Sequence, residues 1–422
     1  MSAAHPALGG VRRGGGPGEL RHGNLTQILR YVRDHGPSSR HDIADGCGLG
    51  VSTMTDLVGE LRSRGLVREL EPVRRHGAGR PTRPIALDGG AWCVLGIHLD
   101  VDHVRFAAST VGAEELWSET VDADFRSPGT EAGFAAFVDI LRDQLSRVPA
   151  GKELVAIEVG LPGFVGSDRG TVGWSAQLDW HDVPLDTMIS QTLADLGLAH
   201  VHVGISNDCQ LAALHAARTG LALPVDSVAV YLGGDRSLGS AIIIDGEIFR
   251  GPNGGAGDLA HQNVDPTGPE DRCGRRGCLE SLAGPRRLLV GGLLCSAEEA
   301  TVLVEERPGE ALRRLTEAAA EGHPGVLAEL GRAGQALGRA IDDIIGMVNP
   351  QTVILGGYLG ELSPHLIPLI REAIADRVDI AAFSETAIVA LPVAQPRVVA
   401  GAILAARDVC LYDPLTLTRP LD

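Results

Sequence analysis

"GNLTQILRYVRDHGPSSRHDIADGCGLGVSTMTDLVGELRSRGLVREL", residues 23–70, reads as three short helices. Leu25, Ile28, Leu29 and Val32 recur at helical spacing until Gly36-Pro37 ends the run. Ser39 stands where an N-cap belongs, ahead of "RHDIADGCG". Gly48-Leu49-Gly50 makes a tight turn, and Gly50 or Ser52 opens a third helix whose Met54, Leu57, Val58 and Leu61 face inward. Two short helices around a Gly-containing turn are the pattern of a helix-turn-helix, whose second helix enters the DNA major groove. Its outward face offers Val51, Ser52, Thr53, Thr55 and Asp56. The hydroxyls of Ser52, Thr53 and Thr55 suit phosphates or base edges, whereas Asp56 runs against a phosphate contact.

"GLVRELEPVRRHGAGRPTRPIAL", residues 65–87, follows as two short strands around a basic, Gly-rich tip. That is the pattern of a wing, with Arg74, Arg75, Arg80 and Arg83 set to reach phosphates or a narrow minor groove. The competing reading is a helical protein-interaction module with a solvated arginine loop. Charge weighs against it. Residues 1–87 hold 13 Arg and 8 Asp/Glu, while the rest holds 24 Lys and Arg against 46 acids. A small basic front joined to a large acidic body implies two jobs, with nucleic acid at the front only.

The opening residues 1–19 are Gly- and Pro-rich, lack the apolar stretch of a signal peptide, and read as a disordered leader. No apolar run is long enough to span a membrane. Seven scattered cysteines read as reduced thiols, so the expected location is the cytoplasm.

From Trp92 onward, strands alternate with helices. "CVLGIHLDVDHVRFAAST" reads as a hairpin, "ELVAIEVGLPGFVG" as a buried strand, and "HVHVGISNDCQLAALHAA" as strand, loop and helix. "SVAVYLGGDRSLGSAIIIDGEIFRG" reads as a hairpin and "TVILGGYLG" as a buried strand ending in glycines. Two α/β lobes with mixed sheets fit this order.

Six stretches, in order, resemble the ROK family of repressors, open reading frames and sugar kinases. They are "GLVREL…GAGRPTRPIAL", "IEVGLPGFVG…GTVGWSAQLDWHDVPL", "ISNDCQLAALHAA", "IDGEIFRGPNGGAGDLAHQNV", "DRCGRRGCLE" and "VNPQTVILGGYLG". The likeness is to the branch of xylose- and N-acetylglucosamine-type sugar repressors. It implies an N-terminal winged helix-turn-helix over 20–87 and a two-lobed, actin-like, ribonuclease-H-like sugar kinase fold over 92–422. The lobes would be roughly 92–210 plus the C-terminal helix, and 211–400.

By that resemblance Asp208 stands at the catalytic aspartate of family kinases, with Asn207 beside it as a sugar ligand. The alternative for Asn207-Asp208 is an Asx-type turn before a helix. The nucleotide side departs from the family. Where kinases have Asp-x-Gly-x-Thr, this chain places His98, Asp100 and Asp102. Acids there repel a triphosphate, and a Cβ blocks close backbone approach. The second Gly-rich loop is reduced to "DRSLGSA", keeping Gly239. ATP binding and kinase activity are therefore not expected, and Asp208 is a vestigial base reused as a hydroxyl acceptor.

The remaining pocket implied by the resemblance is Asn207, Asp208, Asp258, His261 and Glu280. Asp258 replaces a family Glu, and Gly163 and Ser175 to Gln177 fall on a sugar-side loop. Carboxylates accept from vicinal hydroxyls and repel anions, so a neutral sugar is the expected effector. Family members hold structural zinc with one His and three Cys. Here His261, Cys273 and Cys278 match, and Asp271 occupies the first cysteine position. A His-Cys-Cys-Asp site is chemically allowed for zinc. The alternative is a metal-free loop turning at Gly274 and Gly277.

The expectation is thus a cytoplasmic regulator, most simply a repressor of carbohydrate genes, binding operator DNA as a homodimer or homotetramer. A sugar-like effector would shift the two DNA-binding domains. A sugar kinase with an appended DNA-binding domain, and a regulator that has lost sugar binding, are the alternatives.

Overall fold

The computed structural model describes residues 16–72, 82–125, 129–375, 386–391 and 397–421. Residues 1–15 of the expected leader and the wing arginines Arg74, Arg75 and Arg80 lie outside the described residues. The chain divides into two compact units, Met1–Ser206 with Ala402–Asp422, and Asn207–Gly401.

Unit 1 begins with helices α1 (Pro17–His35), α2 (Arg40–Cys47) and α3 (Val51–Ser63), then strands β1 (Val67–Glu69) and β2 (Ile85–Leu87). Pro at the first turn presets φ for α1, and Gly36 at φ 71 ends it. Ser39 Oγ accepts from the N–H of Asp42 at 3.2 Å, the expected cap of α2. Gly48 in the left-handed region closes α2, and Gly50 caps α3. β1 and β2 pair antiparallel from Val67↔Leu87 to Glu69↔Ile85, the stem of a wing. The front end is the winged helix-turn-helix that its periodicity implied.

The interior of this winged helix is not its own. Leu25, Ile28, Ile43, Met54, Leu57 and Leu61 share one hydrophobic cluster with Trp92, Val94, Val111, Val155, Ala406, Cys410 and Leu411. Burying each such side chain contributes on the order of 1.5–3 kcal/mol.

The rest of unit 1 holds β3 (Trp92–Leu99), β4 (His103–Thr110), β5 (Glu115–Asp122), α4 (Gly129–Leu145) and β6 (Glu153–Leu161). These are followed by β7 (Phe164–Val165), β8 (Thr171–Ser175), β9 (Trp180–Pro184), α5 (Leu185–Asp195) and β10 (His202–Asn207). The main sheet runs β10-β6-β3-β4-β5, and β7-β8-β9 form a small second sheet. Every residue of β3 is buried, as its unbroken apolar run requires.

Unit 2 holds α6 (Asp208–His215), β11 (Val228–Gly233), β12 (Gly239–Ile244), β13 (Glu247–Phe249), α7 (Leu279–Ala283), α8 (Pro285–Gly291) and α9 (Ala297–Glu306). Then come α10 (Pro308–Ala320), α11 (Pro324–Val348), β14 (Thr352–Leu355), α12 (Gly357–Glu361), α13 (Ser363–Ala375) and β15 (Ala387–Ala390). Its sheet runs β13-β12-β11-β14-β15, with β11, β14 and β15 mutually parallel. Helix α14 (Arg397–Tyr412) starts in unit 2 and ends in unit 1, and α15 (Pro414–Leu417) follows it in unit 1.

Two local readings differ from expectation. The stretch read as one hairpin is three strands. Asp245 at φ 53 and Gly246 at φ 70 supply the turn that adds β13, the geometry a two-residue Asp-Gly hairpin demands. The loop expected between β10 and α6 does not exist, because Asn207 ends the strand and caps the helix directly.

Candidate functional site

The candidate effector residues lie in unit 2: Asn207 and Asp208 at the start of α6, Asp258 and His261 on the segment between β13 and α7, and Glu280 on α7. Asn207 Oδ1 accepts from the N–H of Gln210 at 3.1 Å, so its carboxamide oxygen is engaged as the N-cap of α6. The Asx-type alternative for this pair is thus realised in the Asn207 oxygen. Asp208 Oδ1 accepts from the N–H of Cys209 at 2.7 Å. Both residues are half-buried, at the end of a helix that favours negative charge.

α6 also holds the next loop. Gln210 Nε2 donates to Gly254 O at 3.2 Å. Beyond it, Ser240 Oγ on β12 donates to Gly257 O at 2.6 Å and accepts from the N–H of Leu259 at 2.7 Å. These bonds clamp the turn that presents Asp258, which is exposed. Burial pushes the Cys209 thiol well above its ordinary pKa, and Asp208, Asp235 and Asp258 push it further. Those carboxylates therefore share one neighbourhood. Asp235, Gln210 and Ser240 were not singled out by sequence; no residue type or spacing marks a side chain whose role is to pin a loop.

Glu280 faces differently from its neighbours. Its Oε2 accepts from the N–H of Leu238 at 2.5 Å, in the β11–β12 loop. Burial raises its pKa to about 7, with the Leu238 bond opposing. In unit 1, Ser175 is fully buried, and its Oγ donates to Pro162 O at 2.5 Å. That bond fixes the backbone around Gly163, where φ is 145 and a side chain would strike Trp174 and Ser175.

His261, Asp271, Cys273 and Cys278 come together, with one ligand atom from each lying within 4.8 Å of all the others. Cys273 Sγ and Cys278 Sγ are 3.6 Å apart, too far for a disulfide, and His261 Nδ1 is 3.0 Å from Asp271 Oδ2. Around a tetrahedral ion with Zn–S of about 2.3 Å, two sulfurs stand about 3.8 Å apart, so the spacing fits. The backbone assembles this clip through the pairing of Asn263 with Cys278 and of Glu270 with Arg276. Asp271 is nearly buried and Cys278 wholly so. Burial, Cys273 and Asp271 push the Cys278 thiol up to about 12, and a bound cation reverses that preference. The residues present can hold a metal ion.

The stretch expected to correspond to the first phosphate loop is the end of β3 and the β3–β4 turn. Asp100 Oδ1 accepts from its neighbour Val101 at 2.7 Å, and Asp102 Oδ1 lies 2.6 Å from His103 Nδ1. His98 and Asp100 are largely buried. On the DNA side, Ser52, Thr53 and Thr55 are all exposed on one face of α3, opposite buried Met54, Leu57 and Val58. Arg83 is exposed and stands 4.0 Å from Glu69, whose carboxyl is held low mainly by Arg40. Among the described residues no helix is long and apolar enough to cross a membrane.

Comparison with known proteins places these features. The ROK family model matches residues 94–408. The chain is 27% identical to the xylose repressor of Caldicellulosiruptor bescii, over 86% of this chain and 90% of that one. It is 26% identical to the DNA-binding transcriptional dual regulator NagC of Escherichia coli K12, over 83% and 84%. In structure it is similar to a ROK family transcriptional regulator, a homologue of the E. coli MLC protein, with TM-score 0.77, 23% identity and coverage of 94% and 98%. A ROK family glucokinase from Streptomyces griseus shares the fold with TM-score 0.57 and 22% identity, over 75% of this chain and 99% of that one. The chain is a member of the ROK family, with a winged helix-turn-helix ahead of the family's actin-like fold.

Proposed function

We propose that the chain is a sugar-responsive, DNA-binding transcriptional regulator, most simply a repressor of carbohydrate genes. The observation that supports it best is the likeness to sugar repressors across front end and body together, covering 86% of the chain in the xylose repressor comparison. Ser52, Thr53 and Thr55 on α3 would meet the operator, with Arg74, Arg75 and Arg80 adding phosphate contacts. A neutral sugar would be held in unit 2 by Asp208 and Asp258, whose carboxylates accept from vicinal hydroxyls, and by His261, whose Nε2–H donates when Nδ1 faces the metal cluster. Asn207 contributes by fixing the start of α6, and Glu280 by fixing the loop at Leu238.

Zinc fits His261, Asp271, Cys273 and Cys278, and when bound it supplies a structural cross-link with no chemistry of its own. It would join the loop bearing Asp258 to the segment bearing Glu280. A homodimer or homotetramer would present two or more α3 helices to a repeated operator.

The kinase alternative is supported by Asp208, which keeps the position of a catalytic carboxylate. Against it stand the acids of the β3–β4 turn and the loss of glycines from "DRSLGSA". One experiment separates the two: full-length protein with Mg-ATP and a panel of xylose, glucose and N-acetylglucosamine. The regulator reading expects a sugar-dependent thermal shift and no ADP release. ADP release at enzymatic rates contradicts it.

A further inference from the structure

In the described structure the winged helix is not a free bead. Its core is shared with the last ten residues of α14, and one buried charge cluster pins the two together. Arg33 on α1 donates from Nη1 to Asp408 Oδ1 and to the hydroxyl of Tyr412, each at 3.0 Å. Its Nε donates to Asp34 Oδ1 at 2.6 Å. The Arg33 and Asp408 side chains are only 10% and 12% exposed, so the pair is largely shielded from solvent. Thr26 Oγ1 donates to Tyr412 O at 3.0 Å, and the Arg30 guanidinium lies 5.2 Å from the Tyr412 ring. Arg30 and Arg33 are three residues apart and Asp408 and Tyr412 four, so each set lies on one helix face. Below them, Leu421 N–H donates to Ser63 O at 2.7 Å, holding the last turn of the recognition helix α3.

At its other end, within unit 2, helix α14 packs against α6. Gly401 packs on the backbone of Leu211 in α6 so closely that no side chain fits there. α6 is the helix that Asn207 caps and that Asp208 begins. Arg397, one turn before Gly401, donates to Leu391 O at 3.1 Å. From Gly401 to Asp408 is two helical turns, about 10.5 Å along one side of the helix.

We propose that Arg33, Asp408 and Tyr412 are positioning residues through which α14 passes the state of α6 to the recognition helix. This rests on the reading of the chain as an effector-responsive DNA-binding protein. The cluster fixes where α3 sits, and α14 is the shared element that both sites bias.

The test uses the full chain, a duplex enriched by it from random DNA, and a double-mutant cycle. Gly401→Ala perturbs the α6–α14 contact without any sugar. By fluorescence anisotropy it is expected to change the Kd for the duplex at least fivefold in the otherwise wild-type chain. In the Asp408→Asn background the same substitution is expected to change it less than twofold, and Tyr412→Phe is expected to give an intermediate value. A merely structural Asp408 would lower the melting temperature yet leave the Gly401→Ala effect whole. Equal effects in both backgrounds, or no effect in either, overturn the proposal. If Gly401→Ala does not fold, Arg397→Gln, which removes the bond to Leu391 O at the start of α14, takes its place in the cycle. A chain that binds no duplex at all contradicts the regulator reading instead. Hydrogen exchange of α1 and α3 then replaces anisotropy, with the same expected dependence on Asp408 and the same overturning result.

Discussion

Asp271 Oδ2 stands 3.0 Å from His261 Nδ1 and accepts the backbone N–H of Cys273 at 3.2 Å. One carboxylate therefore ties together three members of the cluster: itself, the histidine and the first cysteine. At the position where the family resemblance implies a cysteine, Asp271 offers an anionic donor among the other three. Its oxygen is already oriented by the Cys273 amide, which is how a supporting hydrogen bond prepares a metal ligand.

Metal content follows from that geometry. Purified chain is expected to hold about one zinc per protomer by plasma mass spectrometry, Asp271→Ala to lower zinc affinity at least tenfold, and Cys278→Ser to abolish it. Zinc content unchanged by Asp271→Ala would mean that Asp271 is not a ligand.

The recognition face makes a second prediction. Ser52→Ala and Thr55→Ala each remove an exposed hydroxyl from α3 and leave the buried Met54 and Leu57 untouched. Each is expected to weaken duplex binding by roughly fivefold, about 1 kcal/mol, with unchanged melting temperature. Leu57→Ala is expected to lower the melting temperature first, since a buried Leu→Ala costs roughly 2–5 kcal/mol. Full affinity in the Ser52→Ala/Thr55→Ala double variant would remove α3 from the interface.

Stability is expected to depend on pH through His202. Burial lowers its pKa, Arg169 adds to the lowering, and Glu158 opposes both. A depressed folded pKa means that the unfolded chain binds the proton more readily. The histidine's contribution is therefore intact above the unfolded value near 6.5 and is lost as pH falls below it. The melting temperature of His202→Gln is expected to fall less between pH 7 and pH 5.5 than that of the unaltered chain. Parallel pH profiles would exclude His202 as a source.

The effector pocket is tested at Asp208. Asp208→Asn keeps the size of the side chain, and is expected to weaken sugar binding at least tenfold by calorimetry with little change in zinc content. Retained affinity would leave the carboxylate without a role in the pocket.

Much of the front end was legible because its signals are local. Ser39, Gly48 and the Leu25–Val32 spacing set helices through bonds and contacts made within a few residues. The cluster of His261, Asp271, Cys273 and Cys278 was expected from the family resemblance alone, since the spacing of Cys273 and Cys278 equally allows a redox pair or a turn. Cap and ligand readings of Asn207 could not be separated by residue type, since an amide oxygen serves either. The second hairpin at Asp245-Gly246 was missed although its turn residues mark it, because the flanking run looked continuous. The attachment of the winged helix to α14 left no trace in pattern. Arg33 and Asp408 are distant in sequence, and nothing about an arginine on a helix says that it is buried.

The most direct test of sugar-responsive DNA binding is the Kd of the full-length chain for its enriched duplex, with and without a saturating sugar that gives a thermal shift. The expected result is a change of at least fivefold, about 1 kcal/mol of coupling, matched by an equal change in sugar affinity when DNA is present. A sugar that binds tightly at the unit 2 carboxylates yet leaves the duplex Kd unchanged contradicts it.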